Sequence, residues 1–139
     1  MPSVIELLKQ DHRGVEDLFG KFNSTKEEAI AEEICNELEV HTSAEEQFVY
    51  PALREGVAGG DKLANEAEHE HGEAKQIIGR IKRTSDPEHL AEVVGELQQA
   101  IEHHVEEEEG NVFPKMESEL GTSELERIGA QVEQFKQSA

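Results

Sequence analysis

The sequence predicts an all-α protein, an antiparallel up-and-down four-helix bundle with an additional short C-terminal helix. Three observations carry that reading. Helix formers dominate, while there is no Trp, one Tyr (Tyr50) and five Phe. Only four prolines interrupt 139 residues, a length suited to one domain with a real core. Apolar residues recur in steps of three and four along four long segments, which stacks them on one face of each helix.

The first helix is expected from Pro2 or Ser3 to Phe22, with Val4, Leu8, His12, Val15, Phe19 and Phe22 in line. Asn23-Ser24-Thr25 reads as a turn that caps the second helix. That helix starts near Lys26 and aligns Ile30, Ile34, Leu38, His41, Glu45 and Phe48. It continues to Pro51, where a kink is expected, and Gly56 and Gly59-Gly60 end it. The third begins near Asp61 and lines up Leu63, Ala67, His71, Ala74, Ile78 and Ile81. Thr84-Ser85-Asp86-Pro87 signals the start of the fourth, a capping residue followed by proline in the first turn. Its stripe is Leu90, Val94, Leu97, Ile101, His104, Glu108 and Val112, and it reaches Glu119 with a second kink at Pro114. Ser123 and Glu126 form a capping-box pattern before a last helix with Leu125, Ile128, Val132 and Phe135. The expected division is therefore a bundle over residues 1–120 and a short helix over 121–139 packed on it.

The second half of the bundle repeats the first. "DHRGVEDLFGKF" from Asp11 aligns with "EHGEAKQIIGRI" from Glu70, pairing His12 with His71. "HTSAEEQFVYP" from His41 aligns with "HVEEEEGNVFP" from His104, with His, Glu-Glu and Pro at identical offsets. A period of about half the chain is far longer than solenoid repeats and reads as a duplicated helical hairpin.

Charge and composition exclude several classes. The formal net charge of −19 repels phosphate backbones, so nucleic acid is not an expected partner. One cysteine, Cys35, excludes an internal disulfide and fits a reducing cytoplasm. No apolar run approaches the ~20 residues of a membrane span, and Met1 to Glu6 lacks the apolar stretch of a signal peptide. A cytoplasmic protein that engages no membrane is the expectation.

Four of the seven histidines, His12, His41, His71 and His104, fall on apolar stripes, one per helix. Glu45 and Glu108 share those stripes, each one turn after a histidine. A core-facing carboxylate is costly unless compensated, and a plain buried His–Glu network is the structural alternative. The joint pattern favours metal: all four helices contribute, both repeats contribute identically, and two carboxylates among four imidazoles are best neutralised by multivalent cations. Imidazole and carboxylate without thiolate suit Fe, Mn or Zn. A natural arrangement gives each of two ions two histidines, with Glu45 and Glu108 spanning both at a separation of about 3.5–4 Å. Positions then remain for a bridging oxide or hydroxide and for dioxygen, hydrogen peroxide or another small ligand. Ferritin-like sites place Glu-x-x-His on two helices, whereas here the order is His-x-x-x-Glu, and Glu68-x-x-His71 has no counterpart at His41 or His104.

At these residues the sequence resembles the hemerythrin-like family, also called the HHE cation-binding domain. The resemblance covers roughly residues 3–118 and rests on His12, His41-x-x-x-Glu45, His71 and His104-x-x-x-Glu108. It implies a non-haem di-iron site, two Fe ions, in a four-helix bundle, with Glu45 and Glu108 as bridges. One departure stands out. Oxygen-carrying members have a further histidine one turn before the His71 position, and this chain has Ala67 there. That difference leaves a more open site, suited to peroxide chemistry or sensing. The expected activity is binding or turnover of a small oxygen species, with catalase-like peroxide decomposition in front. Non-enzymatic oxygen or iron binding, sensing or storage is the alternative, and a purely structural His–Glu cluster is the bland third.

Other candidates are expected to carry nothing. His69, His89 and His103 lie off the stripes, and Glu106, Glu107 and Glu109 read as a solvated face. Glu68 is expected to be exposed. Cys35 reads as a small buried residue. An ideal helix directs Tyr50 away from the stripe; only a distortion at Pro51 brings it inward, where a phenolate could meet the metal.

Overall fold

The computed structural model describes residues 2–139. The helices are α1 (Val4–Thr25), α2 (Glu28–Ala44), α3 (Tyr50–Gly56), α4 (Gly60–Lys82), α5 (Pro87–Glu107), α6 (Phe113–Glu119) and α7 (Thr122–Ser138). A π-helical turn, Glu45–Val49, joins α2 to α3, and a second, Glu108–Val112, joins α5 to α6. The bundle therefore has four rods: α1, α2–α3, α4 and α5–α6. Within the hairpins α1 packs on α2 and α4 on α5; contacts of α2 with α4 and α1 with α5 close the bundle.

Start signals set the ends. Ser3 caps α1, its hydroxyl accepting from the Glu6 N–H at 3.4 Å. Asp86 caps α5 through the His89 N–H at 3.0 Å, and Pro87 occupies the first turn. Two expected caps differ. The turn foreseen at Asn23–Thr25 is still helix, because Lys26 adopts a left-handed φ of 58° and donates its N–H to the Phe22 carbonyl. The last helix opens at Thr122 on an extended Gly121 with no side-chain cap bond, so Ser123 already sits inside the first turn.

Both kinks expected at proline take one form. The Tyr50 N–H bonds the Glu45 carbonyl and the Phe113 N–H bonds the Glu108 carbonyl, each five residues back. A proline ring clashes with the carbonyl four residues before it in a regular helix, and widening the preceding turn relieves Pro51 and Pro114. The extra residue changes the register. Phe48, expected on the stripe, is only half-buried, while Val49 and Tyr50 are fully buried.

Gly60 permits the close packing of α4 on the preceding segment, since a Cβ there would lie 1.8 Å from the Leu53 carbonyl oxygen. Gly129 plays the same part for α7, where a Cβ would meet the Pro2 carbonyl at 2.6 Å. α7 thus lies across the start of α1, burying Leu125, Ile128 and Val132.

The core divides into two apolar clusters. One holds Leu8, Val49, Leu53, Phe113 and Met116 with the buried face of α7. The other holds Val15, Phe19, Leu38, Ile78 and Leu97. Between them, along every rod, the chain places a polar residue: His12 between Leu8 and Val15, His41 between Leu38 and Ala44, His71 between Ala67 and Ala74, and Glu108 between Val105 and Val112. No helix among the described residues is long and apolar enough to cross a membrane.

Candidate metal centre

Apart from the Tyr50 hydroxyl, the buried polar and charged side chains among the described residues include Thr42 and the six singled out by the sequence: His12, His41, Glu45, His71, His104 and Glu108. Glu45 and Glu108 are 0 % and 1 % exposed. These six form two groups whose candidate ligand atoms lie within 4.8 Å of one another: His12, His41 and Glu108, and His71, His104 and Glu45. Each hairpin therefore supplies both histidines of one group and the carboxylate of the other. The duplication visible in the sequence is a pseudo-twofold relation in the site.

The imidazole Nε2 atoms point at the carboxylates. His12 Nε2 lies 3.2 Å from Glu108 Oε1, and His104 Nε2 lies 3.4 Å from Glu108 Oε2. Glu45 Oε1 lies 3.2 Å from both His41 Nε2 and His71 Nε2. Each carboxylate thus reaches a histidine of either group.

On the outer side every Nδ1 meets a carboxylate. His12 bonds Glu109 at 2.6 Å, His41 bonds Asp11 at 2.8 Å, His71 bonds Glu46 at 2.8 Å and His104 bonds Glu70 at 2.6 Å. An ionised carboxylate can only accept, so each Nδ1 donates outward and each Nε2 faces inward, the atom left to ligate a cation. Cations hold the outer carboxylates in turn: Lys136 of α7 on Asp11, Arg13 on Glu109 at 2.8 Å and Lys75 on Glu46 at 3.4 Å. Glu70 also meets His103 at 3.4 Å.

Sequence reasoning missed this outer ring. Glu109 is not part of a solvated face but holds His12. The signal lay in the repeat itself, which aligns Asp11 with Glu70 and Glu46 with Glu109. Tyr50 is the other departure, since the π turn swings it fully inward. Its hydroxyl donates to Glu108 Oε2 at 2.9 Å and lies 3.1 Å from His71 Nε2. Its repeat counterpart, Phe113, stacks on the His12 ring with centroids 5.9 Å apart. One end of the site is therefore hydroxylated and the other is not.

The remaining candidates fall where the periodicity put them. His69, His89 and His103 are exposed. Glu68 pairs with Arg54 at 2.7 Å, away from the site. Cys35 is buried, and burial pushes its thiol up to about 11.

Electrostatics and unpaired atoms together test whether a cation fits. Burial alone would lower the pKa of His41, but the charge of Glu45 and the bond to Asp11 push it up to about 10. His104 is likewise depressed by burial and raised by Glu108, Glu45 and Glu70, to about 12. Glu45 would be raised by burial, yet the charge of His41 holds it well below the carboxylate range. Burial and the charges of Glu45 and Glu108 push Tyr50 well above 10, so it keeps its proton. Positive charge is strongly favoured between these carboxylates. Even so, His12 Nε2, His41 Nε2, both oxygens of Glu45 and Glu108 Oε1 are buried without a hydrogen-bond partner. Five orphaned inward atoms, all metal-ligating types, are what a cation site presents.

The family model of the hemerythrin HHE cation binding domain matches residues 3–116. The chain belongs to this family. The solved structure of a hemerythrin HHE cation-binding domain-containing protein from Mycobacterium kansasii superposes with a TM-score of 0.80 at 29% identity, covering 99% of this chain and 90% of that one. An uncharacterized hemerythrin-like protein of Schizosaccharomyces pombe is 23% identical over 98% of this chain and 70% of its own length. A DNA nickase of Nostoc sp. strain PCC 7120 is 27% identical over 90% of this chain, and the match spans only 36% of that protein.

Proposed function

We propose that this HHE domain is a non-haem di-iron protein that binds or turns over a small oxygen species, with hydrogen peroxide decomposition as its activity. The observation that carries the reading is the pair of mirrored His–His–Glu groups with five unpartnered buried atoms. His12 and His41 would hold one ion and His71 and His104 the other, with Glu45 and Glu108 shared. Iron bound there supplies redox and Lewis-acid chemistry.

The chain's own residues do the rest. Asp11, Glu46, Glu70 and Glu109 orient the imidazoles and raise their basicity, as second partners of metal-bound histidines do. The Tyr50 hydroxyl holds a proton 2.9 Å from Glu108 Oε2 and keeps a hydrogen-bond donor at one end of the site. Ala67, one turn before His71, adds no ligand or donor on that side. The apolar clusters above and below exclude bulk water. Nothing in the buried set resembles a separate side-chain nucleophile, which suits chemistry centred on a metal.

A second reading, non-enzymatic sensing or storage of oxygen or iron, draws on one observation. Lys136 of α7 grips Asp11, which holds His41, so the C-terminal helix is connected to the site by two polar contacts. The Nostoc relative's DNA-directed name does not fit this chain's net charge of −19, and no nucleic-acid partner is proposed.

Mixing iron-loaded protein with hydrogen peroxide separates the readings. Peroxide consumption with oxygen release supports turnover. Reversible spectral change under oxygen cycling without consumption supports sensing or storage, and no response to either ligand contradicts both.

A further inference from the structure

A groove of about 500 Å³ runs along the outside of the bundle between α4 and the α5–α6 rod. Its floor includes Ala67, His104 and Glu108, and its rim carries Glu66, Glu107 and His69. We propose that this groove is the entrance through which divalent cations reach the metal centre. The inference rests on the metal-centre reading and adds the route to it.

Three features argue for this side. First, the groove meets the site at Glu108, which is 1 % exposed and whose Oε1 has no hydrogen-bond partner. A cation arriving there finds a carboxylate oxygen that makes no hydrogen bond, with His12 Nε2 3.2 Å from it and His104 Nε2 3.4 Å from the other oxygen. Second, α4 contributes only a methyl group at Ala67, one turn from His71, to the groove's floor, the smallest barrier a side chain could set there. Third, three neighbouring approaches are filled or narrow. The Phe113 ring stacks on His12, and Tyr50 fills the space beside His71. The cavity beneath the four histidines, lined by Val15, Ala74 and Ile101, has a volume of only about 20 Å³. It holds one water at most, too little room for a cation that must stay solvated, although Asp11, Thr42 and Glu70 also line it.

The charge of the rim selects what enters. Glu66 and Glu107 are exposed, and Glu70 stands behind them between His103 and His104. A groove lined by carboxylates concentrates cations and repels anions, an effect that weakens as salt screens the field. The imidazoles of His69 and His103 on the same rim can take up a cation in passing.

The test follows cobalt(II) uptake by rapid mixing, using its visible absorption. Two variants of the full chain are compared with wild type: Ala67→Phe, which fills the groove, and Glu66→Gln/Glu107→Gln, which neutralises the rim without touching a ligand. Expected are unchanged final stoichiometry in the double variant and roughly threefold slower loading at low salt, the difference vanishing at high salt. Ala67→Phe should slow loading about tenfold or more. Wild-type rates in both variants, with uptake intact, overturn the entrance and leave the metal centre standing. Should the added ring abolish uptake by displacing His71, the salt dependence of the double variant decides alone. Wild-type protein that takes up no cobalt overturns the metal centre and the entrance together.

Discussion

The Tyr50 hydroxyl donates a 2.9 Å hydrogen bond to Glu108 Oε2, tying the ring before Pro51 in one hairpin to the carboxylate of the other. The contact exists because the π turn Glu45–Val49 inserts a residue into the helical register. Phe113 shows that a plain phenyl ring is accommodated after the equivalent turn. Tyr50→Phe should therefore fold and still load metal. Its metal-free form should lose about 1–3 kcal/mol, because a buried carboxylate oxygen is left without its donor. Urea unfolding of the metal-free protein measures this, and an unshifted midpoint would count against the bond.

His41→Ala and His104→Ala should each abolish stoichiometric metal loading, while His89→Ala leaves it intact. The first two are buried with Nε2 facing the glutamates; His89 is exposed in the first turn of α5. Metal content after dialysis reads the result. Equal loss in all three would show that burial does not select the ligands.

The outer carboxylates should matter nearly as much as the histidines. Asp11→Ala or Glu109→Ala removes the partner that fixes an imidazole, and metal affinity should fall about 10–100-fold. Lys136→Ala, which acts on Asp11 from α7, should weaken binding by a smaller factor in the same direction. Competition with a chromophoric chelator gives the ranking. Wild-type affinity in Glu109→Ala would return that residue to the solvated face.

The pH dependence of the metal-free protein has two limbs. The carboxyl groups of Glu45, Glu70 and Glu109 are held below their ordinary 4.5, so their contribution is complete above that pH and lost as pH falls through the lowered values. His41 and His104 are raised from 6.5 to about 10 and about 12; their contribution is complete below 6.5 and lost as pH rises toward those values. Stability should peak between about 4.5 and 6.5 and decline on the alkaline side well before pH 10. Metal must displace those protons, so uptake near neutrality should release them into weakly buffered solution. A stability maximum above pH 8, or uptake without proton release, would contradict the charge assignment.

Much of this was legible in the sequence, for identifiable reasons. Steps of three and four placed His12, His41, His71 and His104 on buried faces, and the repeat tied Glu45 to Glu108. Periodicity assumes a constant helical repeat, so it failed just past Glu45, where the π turn buries Val49 and Tyr50 in place of Phe48. Proline at position 51 was the one visible sign. The outer ring was hidden differently. Asp11, Glu46, Glu70 and Glu109 sit next to the stripe, where acidic residues normally face water, and each meets its histidine on another helix. Only the three-dimensional arrangement shows those pairings. The late end of α1 was missed because a left-handed Lys26, without glycine, carries no strong stop signal.

The central claim is that the two His–His–Glu groups hold two iron ions. The most direct measurement is metal analysis, with an optical spectrum, on protein purified without added metal. Two irons per chain, lost together in His41→Ala and His104→Ala, are the predicted result. Protein that carries no iron, takes none up when supplied and unfolds at the same temperature with or without it would contradict the claim.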